Sequence, residues 1–279
     1  MVGKQMTDHY AVIGNPISHS KSPLIHTDFA RQTDQDMDYI TRQVPLDNLV
    51  AGLKELQQQG FKGINITVPF KEQAWQMVTD KSEHAQRAGA INTIVFNDDG
   101  TLTGANTDGI GLCRDLLKNH QIELKSKRIL LLGAGGAARG VVEPLLKSQP
   151  SLLFIANRTT SKALDLCRLF EGFGHIRGGS YDALTGSFDV IINATSASLN
   201  GEIPPIADTV LNKNSVCYDM MYSNTDTAFV TWAKQHGAAK AIDGLGMLVE
   251  QAAEAFRLWR GVTPETDKLI MQIRQINKS

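Results

Sequence analysis

The chain has 279 residues, a hydrophobic content of 42% and a formal net charge of −1. That length fits two domains of ordinary size, and the charge excludes a basic nucleic-acid face. The three cysteines (Cys113, Cys167 and Cys217) are odd in number, form no CxxC and point to a reducing compartment. Met1–Tyr10 is polar, with no leader-like apolar core, and no apolar run approaches the ~18–20 residues of a membrane span. A cytoplasmic protein with no membrane partner is expected. Near-zero charge suits a monomer or a homodimer alike, and no set of metal ligands stands out.

In chain order, Tyr10–Ile13 reads as a short strand ending in the turn Gly14-Asn15-Pro16. Ser22-Pro23 has the form of an N-cap followed by proline at the first helical position. Asp47 is the expected cap of a second helix, with Leu49, Val50, Leu53 and Leu56 on one face and Gly60 at its end. Gly63–Val68 is a strand stopped by Pro69, and Phe70–Thr79 a helix. Ile91–Phe96 and Leu102–Ala105 flank the hairpin signal Asn97-Asp98-Asp99-Gly100. Asp108–His120 is a helix leading into a second half that repeats strand and helix. Its strands are Ile129–Leu132, Leu152–Ala156, Val190–Asn193, Val216–Asp219 and a short one near Ala239–Ile242. Such alternation predicts a doubly wound parallel sheet. Gly244–Arg260 and Pro264–Asn277 are closing helices.

The stretch Gly133-Ala134-Gly135-Gly136-Ala137-Ala138 links the apolar strand Ile129–Leu132 to a segment of helical spacing. It fits the G-x-G-x-x-G/A fingerprint, in which backbone N–H groups and a helix N-terminus hold a pyrophosphate. Alone the hexapeptide reads equally as a tight turn; its flanking strand and helix favour a nucleotide site. More than a hundred residues precede it, enough for a separate substrate-binding unit. The next strand ends in Asn157-Arg158-Thr159. A carboxylate there would bind the 2′-hydroxyl of NAD, whereas Arg158, 25 residues after Gly133, suits the 2′-phosphate of NADP(H). Thr159 and Lys162 open the following helix and would reach the same phosphate. Asn193-Ala194-Thr195-Ser196 ends another core strand, where it either lines the nicotinamide path or caps a loop.

In the first half, Lys71 follows a strand end and falls in the first turn of a helix, where its charge opposes the helix dipole. Asp108 reads by itself as a helix cap. Ser18-His19-Ser20 lies in a turn, and adjacent Ser and His do not form a nucleophile–base pair; no Ser-His-Asp logic is visible. Gln251 has Met247 and Ala255 at i−4 and i+4, so its amide needs a partner on an apolar stripe. A ligand hydroxyl or the backbone would serve.

Together these segments resemble the shikimate dehydrogenase family. Gly14–Pro23, Asn65–Lys71, Gly89–Thr93, Gly104–Gly109, Gly133–Ala138, Asn157–Thr159, Asn193–Ser196, Tyr218-Asp219-Met220 and Asp243–Leu248 run in order over nearly the whole chain. The resemblance implies an α/β protein with an N-terminal substrate domain (residues 1–107), a Rossmann-like NADP domain (108–243) and C-terminal helices (244–279) returning to the first domain. It implies a catalytic pair, Lys71 and Asp108, and substrate ligands Ser18, Ser20, Thr67, Asn92, Tyr222 and Gln251. The implied NADP(H) contacts are Glu83, Gly133, Ala134, Gly135, Gly136, Ala137, Asn157, Arg158, Thr159, Thr160, Ser161, Lys162, Met220 and Gly244. One departure is Ser198, where the family pattern has glycine, which bears on the loop shape alone.

The implied reaction is NADPH-linked reduction of 3-dehydroshikimate to shikimate, in the route to chorismate and the aromatic amino acids, with Lys71 giving and taking the proton. A lysine in this role meets opposed influences: desolvation favours its neutral form, a neighbouring carboxylate its charged form. Chemistry is expected in a cleft between the domains, with hinges near Thr107–Ile110 and Asp243–Gly246. The rival readings are a broad quinate/shikimate dehydrogenase using NAD, which Asn157-Arg158 opposes, and a non-catalytic NADPH-binding protein, which would have little reason to keep both Lys71 and Asp108.

Overall fold

The computed structural model describes residues 7–276; Met1–Met6 of the polar start and Asn277 of the expected last helix lie outside them. The described chain divides into two units. One holds the residues through Thr107 together with Gln251–Leu269, the other Asp108–Glu250 and the residues from Ile270 on.

The first unit is built on six strands: β1 (Asp8–Gly14), β2 (Met37–Gln43), β3 (Phe61–Ile66), β4 (Asp80–Lys81), β5 (Thr93–Phe96) and β6 (Leu102–Ala105), in the order β2-β1-β3-β5-β6-β4. β1 runs parallel to both β2 and β3, while β3–β5 and β5–β6 are antiparallel, the latter joined by the expected hairpin. The helices are α1 (Ser22–Gln32), α2 (Leu49–Gln58), α3 (Lys71–Met77) and α4 (Glu83–Ala88). Side chains alternate across a strand, and β1 shows it. Ala11 and Ile13 join one buried cluster with Leu49, Leu53 and Leu56, whereas Tyr10 and Val12 join another with Ile17 and Tyr39. Two expected caps differ. Lys21 rather than Ser22 precedes α1, and Asn48 rather than Asp47 precedes α2; neither makes a side-chain cap bond. Ser22 is buried inside the first turn, and Val50 is exposed.

The second unit is the doubly wound sheet. Its strands β7 (Arg128–Leu132), β8 (Leu152–Ala156), β9 (Ile176–Gly179), β10 (Val190–Asn193), β11 (Val216–Asp219) and β12 (Lys240–Ile242) lie in the order β12-β11-β10-β7-β8-β9, every pair parallel. The order reverses between β7 and β10, the switch point where such sheets open their ligand crevice. Ile129 and Leu131 enter one core and Leu130 and Leu132 another, so β7 is covered on both faces. The remaining helices are α5 (Asp108–Arg114), α6 (Gly136–Lys147), α7 (Thr160–Leu169), α8 (Ala228–Gln235), α9 (Leu245–Arg260) and α10 (Asp267–Ile276). The helix expected over Asp108–His120 is interrupted: α5 gives way to a wider turn over Asp115–Asn119, closed by the His120 N–H on the Asp115 carbonyl at 3.0 Å. The buried Asp115 carboxylate there accepts from the Tyr218 hydroxyl (2.6 Å) and the Asn119 amide (2.9 Å).

Of the C-terminal stretch, the described residues divide between the two units. Met247 belongs to the second unit's core, and Arg274 donates to Asp243 at 2.9 Å in the same unit. Only Gln251–Leu269 joins the first unit. There the Trp259 indole donates to the Ile94 carbonyl at 3.0 Å and Arg260 pairs with Asp8.

His26 of α1 is wholly buried, its ring 4.1 Å from that of Tyr39 at an interplanar angle of 6°. Among the described residues neither ring nitrogen makes a well-formed hydrogen bond, although the Asn65 side chain lies near enough to oppose the effect of burial. Burial pushes the imidazole down from its ordinary value near 6.5 to about 3. The unfolded chain therefore takes up a proton below about pH 6.5 that the folded chain refuses until about pH 3. This share of stability is complete above pH 6.5 and is lost as pH falls toward 3, about 2 kcal/mol of it by pH 5. His26→Phe is expected to flatten the fall in melting temperature between pH 7 and pH 5. An unchanged slope would contradict this account.

Candidate active site

The glycine turn sits at the end of β7. Gly133 has φ +109°, a left-handed value that favours glycine, and its N–H bonds the Ala156 carbonyl at the end of β8 (2.8 Å). Gly135 is exposed and extended, and a Cβ there would meet nothing within 4 Å. Gly136 then begins α6, whose first turn has no side-chain cap. This open cradle of backbone at a helix start fits a pyrophosphate.

Beyond β8, the Asn157 side chain donates to the Thr159 carbonyl at 2.9 Å, which fixes the turn into α7. Arg158, Thr159, Thr160, Ser161 and Lys162 are all exposed. The Arg158 charge lies close enough to Tyr181 to oppose the upward push of burial on that phenol. Two cations and no carboxylate in this segment suit a 2′-phosphate better than a free hydroxyl.

At the end of β10, Asn193 is fully buried. Its Oδ1 accepts from the Thr195 N–H (3.1 Å) and hydroxyl (2.7 Å), and its amide donates to Asp219 (3.0 Å) and Ser198 (3.2 Å). Of the two readings left open for Asn193–Ser196, the loop-capping one describes Asn193, and Ser198 takes part in it. Met220 and Gly244 come together: the Gly244 N–H bonds the Met221 carbonyl (3.0 Å), and a Cβ on Gly244 would overlap the Met220 carbonyl. Tyr222 follows in the same unit, half-buried. Of the cofactor candidates, Glu83 alone belongs to the first unit. It lies at the start of α4, paired with Arg87 at 3.4 Å, its side chain 88% exposed.

In the first unit the segments around Thr67, Lys71 and Asn92 are tied by backbone bonds. The Thr67 N–H bonds Ile13 (2.9 Å), the Ile66 N–H bonds Asn92 (2.8 Å) and the Ile91 N–H bonds the carbonyl of Lys71 (2.9 Å). Asn15-Pro16 and Val68-Pro69 are cis peptides. Ser18 is exposed; Ser20, half-buried, accepts from the Ser22 N–H at 3.3 Å. Lys71 lies in the first turn of α3, as expected; it is the first residue of that helix and is half-buried. Asp108 is the first residue of α5 and is buried.

Asn92 and Gln251, 159 positions apart in sequence, meet in this unit. The Asn92 amide donates to the Gln251 Oε1 at 3.3 Å and to the Thr107 hydroxyl at 2.9 Å, while its Oδ1 accepts from the Thr107 N–H at 2.9 Å. Gln251 thus accepts from the side chains of Asn92 and Thr107 through its Oε1. Asn65, Thr93 and Thr107 belong to the same polar cluster, and none of them is among the expected substrate ligands. Asn65 and Thr93 face one another across β3 and β5, a register that single-sequence reading does not supply. Grouped amides and hydroxyls of this kind suit a hydroxylated ligand.

Strand order, glycine turn and the cationic segment after β8 define a dinucleotide-binding α/β protein. The comparisons make the class specific. Residues 12–94 match the shikimate dehydrogenase substrate binding domain, 115–201 the shikimate / quinate 5-dehydrogenase domain and 244–274 the shikimate 5'-dehydrogenase C-terminal domain. The chain is 53% identical to the shikimate dehydrogenase (NADP(+)) of Nitrosococcus oceani over 97% of its own length and 96% of that protein's. An Ael1 enzyme from Pseudomonas putida superimposes with a TM-score of 0.88 at 46% identity, covering 95% of this chain and 97% of that one. The Thermus thermophilus shikimate 5-dehydrogenase, solved with NADP(H) and shikimate, gives 0.84 at 32% identity, with 96% and 99% covered. The chain belongs to the shikimate dehydrogenase family.

Proposed function

We propose that this chain catalyses the reversible NADP-linked interconversion of shikimate and 3-dehydroshikimate, with Lys71 as general acid/base and Asp108 as its partner. The observation that carries the reading is the hydrogen-bonded cluster of Asn92, Thr107 and Gln251 in a chain that also bears the glycine turn and Arg158. The enzyme is an NADP-dependent oxidoreductase acting on a CH–OH group, as its relatives are named. When bound, NADP would supply the hydride acceptor for oxidation of the carbinol carbon. Gly133–Ala137 would hold the pyrophosphate, with Asn157 and Thr159–Lys162 beside Arg158 at the 2′-phosphate and Met220 and Gly244 as further cofactor contacts. Ser18, Ser20, Thr67, Asn92, Tyr222 and Gln251 would fix the carboxylate and hydroxyls of the substrate.

In the oxidation direction the Lys71 amine takes the proton of the reacting hydroxyl as the carbonyl forms. In reduction the ammonium returns it to the developing alkoxide. Asp108 would orient the lysine and accept from a substrate hydroxyl. Glu83 is retained as a cofactor contact on the family resemblance alone. Among the described residues no helix is long and apolar enough to cross a membrane. With three free cysteines, this supports a cytoplasmic location. The test is an initial-rate assay on the purified chain. Shikimate is expected to drive NADP reduction, and 3-dehydroshikimate with NADPH the reverse; no turnover in either direction would overturn the reading.

A further inference from the structure

The two sheets end in four edge strands, and three of them are short: β4 has two residues, β12 three and β9 four. A short edge is one way a protein avoids pairing with another chain. β2 is the exception. Its seven residues pair with β1 in unbroken register, and among the described residues no strand lies on its other side. It contains no proline, glycine or lysine that would blunt the edge. Asp38, Ile40, Thr41 and Gln43 are exposed.

Side chains alternate along a strand. Tyr39 turns into the cluster with Tyr10, Val12 and Ile17, so Asp38, Ile40 and Arg42 share the opposite face, beside His9, Ala11 and Ile13 of β1. At the surface of that face the Asp38 carboxylate accepts from the His9 ring at 2.8 Å, and Arg42 donates to Gln59 at 3.3 Å. Ile40, between the two charges, is 39% exposed. This pattern is complementary to itself. When two copies of β2 pair antiparallel about a two-fold axis at Ile40, the isoleucines meet on the axis. Asp38 of each copy then lies opposite Arg42 of the partner subunit, twice by symmetry. Apolar pairs and opposite charges directly across an antiparallel ladder are both stabilising. Moving the axis by one residue sets Ile40 against a charged side chain, and parallel pairing in register puts like charges side by side. The sequence of the strand therefore selects one direction and one register.

We propose that the outer edge of β2 is the docking surface for a second copy of this chain, paired antiparallel about Ile40 so that two six-stranded sheets become one. Main-chain hydrogen bonds supply the attraction, as in other strand additions, and the Asp38–Arg42 pairs fix the register. The contact is one strand long, which places it among the small, weak interfaces, so the dimer forms and dissociates with concentration. It does not depend on which substrate the chain turns over.

The experiment is sedimentation velocity of the full chain over a concentration series reaching about 1 mM. Wild type is expected to pass reversibly from monomer to dimer. Ile40→Lys, which sets two ammonium groups on the axis, is expected to remain monomeric. Asp38→Arg and Arg42→Asp each set like charges opposite one another at two symmetric places and are expected to weaken the dimer about tenfold or more. The double variant Asp38→Arg/Arg42→Asp reverses both pairs and is expected to recover it, which general damage to the strand would not do. Should Ile40→Lys not fold, Ile40→Cys tests the same axis: oxidation is expected to link two chains through residue 40, whereas Thr41→Cys, on the other face and off the axis, is not linked. A wild-type chain that stays monomeric at about 1 mM overturns the proposal. So does a dimer that Ile40→Lys leaves intact, an Ile40→Cys chain that links no better than Thr41→Cys, or a double variant that dimerises no more tightly than the single ones.

Discussion

Turnover of the Lys71→Met protein is expected to fall by about 10²–10⁴-fold, the range for losing a general acid/base, with shikimate binding weakened far less. Lys71 opens α3, and its backbone carbonyl is held by the Ile91 N–H at 2.9 Å, so the replacement leaves the backbone bond in place. Methionine keeps an unbranched side chain of similar length without the amine. A cation in the first turn of a helix opposes the dipole, so its removal should not cost the fold; the melting temperature is expected to hold or rise slightly. Loss of chemistry without loss of stability is the signature of a residue kept for its amine. Wild-type turnover in this variant would remove Lys71 from the mechanism.

The second large effect is on cofactor choice. Arg158→Glu is expected to raise the KM for NADP about 100-fold and to lower that for NAD. The guanidinium can grip the 2′-phosphate with two charge-assisted hydrogen bonds, whereas a carboxylate repels the phosphate and accepts from a ribose hydroxyl. The side chain is exposed at the end of β8, so the exchange disturbs no core, and the kcat with saturating cofactor should stay close to wild type. An unchanged NADP KM would mean that Lys162 or another neighbour reads the phosphate instead.

The second unit was far more legible in the sequence than the first. Runs such as Ile129-Leu130-Leu131-Leu132 and Val190-Ile191-Ile192 are apolar without alternation because both faces of a parallel sheet are buried. The turn chemistry after β7 then set the phosphate cradle. β9 escaped because Ile176-Arg177-Gly178-Gly179 pairs only at the sheet edge. A Cβ at Gly178 would meet the Cys167 sulfur at 2.8 Å, so packing against α7 demands a residue that reads as loop. β2 escaped for a related reason: it too is an edge strand, and of its seven residues only Tyr39 is fully buried. The caps at Ser22 and Asp47 were misplaced by one residue, because each helix start is set by the turn before it rather than by a side-chain bond.

In the site, single residues were legible and their connections were not. Gln251 stood out as a polar group on an apolar stripe that needed a partner, and it has Asn92 and Thr107. The residues supporting them, Tyr39, Asn65 and Thr93, have unremarkable local patterns. What joins them is the alignment of β1 between β2 and β3 and of β3 beside β5, which sets Tyr10 against Tyr39 and Asn65 against Thr93. The break at Asp115–Asn119 was hidden for the same kind of reason. Asp115 turns inward to a tyrosine 103 positions away.

The most direct test is kcat/KM for shikimate and for quinate, each with NADP and with NAD, on one preparation of the wild-type chain. A strong preference for shikimate with NADP is the expected result, uniting the neutral cluster of the first unit with the Arg158 segment of the second. Comparable values with quinate or with NAD would contradict it, making the chain a broad quinate/shikimate dehydrogenase in which Arg158 does not read the 2′-phosphate.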